Sequence, residues 1–161
     1  MSAELINFLK AQAVAAAHAI HEQMSGEILI FDDSKAISQS VGAVYGLVVE
    51  LNDQELAALI GELPRRKKPR VHAPLFGSFY PLYWGKDMNP GSRIRAHVQN
   101  HASTGNARLE TYAGLRGKPI QYAAVWVSGY EHFESRLHAS FPPILGQGRR
   151  GKTSDLVSVL A

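Results

Sequence analysis

The chain reads as an α/β domain built on a small, mostly antiparallel three-stranded sheet flanked by helices. Runs of β-branched and aromatic residues around Tyr45, Tyr83 and Val125 predict the strands, and apolar residues at helical spacing near the N-terminus and from Tyr130 to Ser140 predict the helices. Asn, Gly and Pro punctuate the segments between them. With 161 residues, 45% hydrophobic and 19% charged, the chain suits one compact domain with a buried core.

Leu5, Leu9, Ala13, Ala16, Ile20 and Met24 recur every three or four residues amid many alanines, which predicts one amphipathic helix from Ala3 to Met24. His18 and His21 lie on it without a third ligand, so they read as surface or core residues. A short strand is expected at Glu27 to Phe31, closed by the turn residues Asp32-Asp33-Ser34. Gly42 to Glu50 is the first strand of the main sheet, rich in β-branched residues. Asn52 or Asp53 then caps a short helix that runs to Leu63 and ends at Pro64.

Ser78 to Gly85 forms an aromatic strand in which Pro81 marks an edge or a bulge. Asn89-Pro90-Gly91-Ser92 is a turn ending in a helix N-cap, and a helix follows from Arg93 to about Ala102. A shorter helix over Ala107 to Leu115 leads into a strand from Ile120 to Val127. The last helix runs from Tyr130 to Ser140 and stops at Phe141-Pro142-Pro143, because proline cannot continue it. The organisation is therefore an N-terminal helix and lead-in strand (1–41), a main domain (42–145) with an insertion at about 52–77 between its first two strands, and a C-terminal tail (146–161).

Lys and Arg number 17 against 14 Asp and Glu, giving +3 and a pI near 9.3, a balance that suits a polyanionic partner. The cations cluster: Arg65, Arg66, Lys67, Lys68 and Arg70 fall within the insertion, and Arg149, Arg150 and Lys152 lie in the tail. The first group is expected along a phosphate backbone and the second in a flexible basic tail beside the same polyanion. The absence of cysteine excludes disulfides and thiolate zinc sites. No stretch approaches the roughly 18 apolar residues of a membrane span, so a cytoplasmic protein is expected.

Three further patterns lead nowhere in sequence. Gly146 to Thr153 matches the P-loop expression, but too little chain follows for the parallel sheet and downstream carboxylate of a nucleotide site. His97 and His101 are four apart yet lack a third zinc ligand. The serines near His132 and His138 lack the glycine-flanked elbow of a hydrolase nucleophile.

The chemistry concentrates between Tyr83 and His97. An aromatic strand and a turn lead into a helix on which Arg93 and His97, four apart, share a face. If that face looks toward the strand end, Tyr83, Arg93 and His97 converge on one pocket. There a guanidinium can neutralise phosphate, while phenol and imidazole can handle protons.

The segment Tyr83-Trp84-Gly85-Lys86, followed by Arg93 and His97, resembles the second half of the GIY-YIG nuclease motif, with Trp84 in place of isoleucine. Gly42-Ala43-Val44-Tyr45 is similar to the first half, and Glu134, Leu137 and Pro143 match the family's later glutamate helix. The resemblance spans about Gly42 to Pro143. The insertion replaces the family's short hairpin, Asp87 stands where a small hydroxyl residue is usual, and Gly146 stands near the place of an asparagine.

The resemblance implies a DNA endonuclease using one divalent ion, Mg²⁺ or Mn²⁺, and an activated water. In that case Glu134 is the metal ligand, Arg93 stabilises the charged phosphate, Tyr45 and His97 prepare the water, and Tyr83 and Lys86 orient the water or contact phosphate. The physical logic is compatible, since a hard cation takes one carboxylate together with water and substrate oxygens, and phosphodiester hydrolysis builds negative charge. A phenol ordinarily titrates near about 10, so a Tyr45 base requires help from neighbouring cations. The competing expectation is a DNA-binding module that kept the fold and lost cleavage, favoured by Asp87 and by the missing asparagine.

Overall fold

The structure, a computed structural model, describes residues 2–28, 41–63, 72–90, 94 and 109–145. Four strands form one antiparallel sheet: β1 (Ile20–Glu27), β2 (Ala43–Glu50), β3 (Phe79–Asp87) and β4 (Ile120–Val127), in the order β1-β4-β2-β3. Three helices with described bounds accompany it, α1 (Ser2–Ala15), α2 (Asp53–Gly61) and α3 (Tyr130–Ser140), and among the described residues Pro90 and Ile94 are helical too. No described helix is long and apolar enough to cross a membrane.

The two central strands explain the layering. Every residue of β4 and all of β2 except Glu50 are buried, because both faces of the sheet are covered. On one face Val44, Val48, Trp84, Ala123, Val125 and Val127 pack against Leu5, Leu9 and Ala13 of α1 and Phe133 and Leu137 of α3. On the other, Tyr45, Leu47, Val49, Leu82, Ala124 and Trp126 pack with Leu59 of α2 and with Ile94, Leu109 and Leu115. The alternation along β2 sends neighbouring residues to opposite layers, as the two-residue strand period requires.

The sheet has one strand more than the sequence predicts, and the difference lies at the N-terminus. The expected helix to Met24 ends at Ala15, and Ile20–Glu27 becomes edge strand β1, paired with β4. Ala17 adopts φ 60, its N–H bonds Val14 O at 3.0 Å, and the His18 N–H bonds Ala13 O at 2.9 Å. This is a Schellman ending built on alanine instead of glycine. Ile20 and Met24 fit both a helical stripe and a strand alternation, and the inward-outward pattern of β1 shows that the alternation wins. The strand expected at Glu27 to Phe31 is displaced accordingly: Glu27 closes β1, Ile28 is buried in the core, and 29–31 lie outside the described residues.

His18 and His21 tie this turn to the one between β4 and α3. His18 Nδ1 donates to Ser128 O at 2.9 Å, and His21 Nε2 lies 2.9 Å from Ser128 Oγ. Their role in the fold is a clasp.

Within the insertion, α2 carries a full capping box. Asn52 accepts from the Glu55 N–H at 2.8 Å, and Glu55 accepts from the Asn52 N–H at 3.0 Å. The Asn52 N–H, followed by Lys118, holds the Glu55 carboxyl below its ordinary value. At the other end of α2, the Glu62 carboxylate accepts from the N–H groups of Ala113 and Gly114 at 2.7 and 2.9 Å. It thereby anchors two short 3-10 turns, Leu109–Thr111 and Ala113–Leu115, which stand where one short helix was expected.

A non-glycine residue in the left-handed region costs roughly 1–2 kcal/mol, part of which glycine's extra unfolded freedom offsets. Ala17→Gly is therefore expected to stabilise the protein by about 0.5–1 kcal/mol. Urea unfolding checks this, and a lower midpoint would contradict the Schellman assignment.

Candidate functional site

The pairing of β2 with β3 sets two aromatic-glycine dipeptides against each other. Tyr45 lies opposite Gly85, Gly46 opposite Trp84, and Leu47 opposite Tyr83. A Cβ on Gly85 would collide with the Tyr45 ring, and one on Gly46 with the Trp84 ring. Each glycine thus leaves the space that the other strand's aromatic fills, Tyr45 on one face of the sheet and Trp84 on the other. Tyr45 also stacks diagonally on Tyr83, with ring centroids 6.1 Å apart and an interplanar angle of 30°. Both tyrosines are buried, at 1% and 3% exposure.

β3 is an edge strand and carries a bulge at Leu82, which satisfies both readings of Pro81. Chain following α3 covers its free edge. Ile144 N donates to Pro81 O at 2.9 Å and Leu145 N to Leu82 O at 3.0 Å. The Trp84 indole N–H donates to Phe141 O at 2.8 Å, and His138 Nε2 donates to Trp84 O at 3.1 Å. Open edges of this kind invite foreign strands, and here the protein's own backbone closes the edge.

Glu134 sits one helical turn before His138 in the same seam, with only 12% of its side chain exposed. Its Oε2 lies 3.5 Å from His138 Nε2, and His138 is its one ion-pair partner among the described residues. A carboxylate this secluded retains accepting capacity on both oxygens, which suits one ligand of a hard cation. Among the described residues no group of three or more His, Asp or Glu side chains is placed to hold a metal ion. Lys86 reaches the start of α3, with Nζ 3.9 Å from Glu131 Oε2, an exposed pair of little energetic weight.

Of the residues singled out in sequence, Tyr45, Tyr83, Lys86 and Glu134 are therefore placed. Lys86 and Glu134 share the seam between α3 and β3, whereas Tyr45 and Tyr83 face the opposite layer. Arg93 and His97 lie outside the described residues, as do Arg65, Arg66, Lys67, Lys68, Arg70, Arg149, Arg150 and Lys152. Between Arg93 and His97, Ile94 is helical and fully buried in the layer that holds both tyrosines. Asp87 acts as a turn former, its Oδ1 accepting from the Asn89 N–H at 2.8 Å, which a small hydroxyl residue at that position could also do.

His138 is the residue that sequence reasoning passed over. The i, i+4 spacing from Glu134 was a usable signal, but the carbonyl it holds becomes an edge group only once the strand order is known.

The aromatic-glycine fit predicts strong coupling. Gly85→Ala is expected to cost about 2–3 kcal/mol through overpacking, and well under half of that in a Tyr45→Ala background, where the ring is gone. A double-mutant cycle by denaturant unfolding measures this, and additive effects would rule out the contact.

Comparison of the chain with protein-family models, with curated proteins and with solved structures gives no match.

Proposed function

We propose that the protein is a metal-dependent DNA endonuclease of the GIY-YIG type. The observation that carries this reading is the secluded Glu134 carboxylate, held at the edge of the strand that bears Tyr83 and Lys86.

Glu134 holds the divalent ion, Mg²⁺ or Mn²⁺, which when bound supplies charge neutralisation at the phosphate and an activated water. Arg93 offers its planar fork to the developing charge on the phosphate oxygens. Tyr45 and His97 would prepare the attacking water, and Tyr83 would orient it or contact phosphate. Lys86, exposed beside α3, contacts a neighbouring phosphate. The basic run in the insertion adds sequence-independent affinity for the duplex.

A second reading, a DNA-binding module without cleavage, draws on the burial of Tyr45 and Tyr83, which withholds two phenols from the solvent. Nicking of plasmid DNA with Mg²⁺ separates the two. Glu134→Gln keeps the side-chain volume but removes the charge, so cleavage should fall by orders of magnitude while duplex binding persists. Arg93→Lys should bind DNA and cleave far more slowly, since lysine lacks the fork. A well-folded Glu134→Gln protein that still cleaves would overturn the reading.

Binding has its own signature. Each neutralised phosphate contributes a slope of about −0.9 to log affinity against log salt. Replacing Arg65, Arg66, Lys67 and Lys68 with alanine is expected to flatten that slope by roughly two to four units. An unchanged slope would remove the insertion from the DNA interface.

A further inference from the structure

His138 takes no part in the chemistry proposed above, yet it is mostly buried and touches two groups that matter to it. Its Nε2 lies 3.1 Å from Trp84 O and 3.5 Å from Glu134 Oε2. A carbonyl oxygen can only accept, so Nε2 must carry the hydrogen. The other ring nitrogen, Nδ1, is buried and has no hydrogen-bond partner. In the neutral ring Nδ1 is a bare lone pair, less costly to bury than an unsatisfied N–H. The surroundings thus select one tautomer, whose N–H edge faces a strand carbonyl and a carboxylate together.

We propose that His138 is a positioning residue for Glu134, resting on the reading of Glu134 as the metal ligand. The bond to Trp84 O fixes the imidazole against the edge of β3. The positive end of the fixed ring then holds one carboxylate oxygen, leaving the other to the ion. Without it, Glu134 regains its rotamers and must be ordered again each time an ion binds. Trp84 is itself pinned by Gly46 and by Phe141 O, so the carboxylate is referenced to a fixed side chain of the sheet. Groups that orient a metal ligand in this way typically contribute 10–100-fold in metal affinity.

The test is Mn²⁺ binding to the full chain without DNA, followed by electron paramagnetic resonance at about pH 8, above the ordinary histidine range. His138→Leu, which fills the space and offers no donor, should weaken Mn²⁺ binding by about tenfold or more. His138→Gln, whose amide N–H can donate from a similar position, should restore most of it. In cleavage, the His138→Leu protein should need correspondingly more Mn²⁺ and approach the wild-type rate at saturation. Should His138→Leu fail to fold, ¹⁵N spectra of the wild-type imidazoles decide. They should show His138 protonated on Nε2, with that resonance moving when Mg²⁺ is added. Equal Mn²⁺ affinity in wild type and a folded His138→Leu protein, or an unmoved resonance while Mg²⁺ binds, would overturn the role of His138 alone. Mn²⁺ affinity unchanged by Glu134→Gln would overturn the reading of Glu134, and this proposal with it.

Discussion

The reciprocal fit of Tyr45 over Gly85 and Trp84 over Gly46 is the constraint on which the rest of the structure depends. It fixes the register of β2 on β3, because a slip by one residue would bring each ring against a side chain and turn every core residue to the wrong face. Two glycines in adjoining strands would ordinarily weaken a sheet. Here they are covered by two of the largest side chains in the core, one on each face, so the weakness becomes the means of alignment.

From that lock the arrangement around β3 follows. Fixed by its ring, the Trp84 indole reaches Phe141 O just beyond α3, and its carbonyl receives His138. Together these place α3 and bring Glu134 to the strand edge. Chain beyond the helix then bonds Pro81 and Leu82, so the same contacts that protect the edge also position the acidic side chain. Seclusion of the carboxylate and closure of the sheet are one structural event.

Much of the fold was legible in sequence. β4 and α3 fall at Ile120–Val127 and Tyr130–Ser140, as the β-branched run and the Pro142-Pro143 stop imply. Asn52 caps α2 as its side chain suggests. β1 was not legible, because Ile20 and Met24 satisfy helical and strand periods alike and no glycine marks the turn at Ala17. For the site, the strands that carry Tyr45 and Tyr83 could be read from their β-branched and aromatic runs. The depth of those rings could not, since it depends on Leu59, Ile94 and Leu109, brought over them from distant parts of the chain. The part of His138 was hidden for the same reason.

The strand order has a kinetic consequence. Of the four described strands β4 is synthesised last, yet it lies between β1 and β2, which meet only through it. During translation β2 and β3 can pair early, whereas β1 and its helix must wait until Val127 has left the ribosome. Closing so long a loop adds little to the equilibrium cost but slows the search, as in other folds rich in distant contacts. Until β4 inserts, the inner edges of two strands stand open together, so the nascent chain is most exposed to aggregation just before β4 arrives.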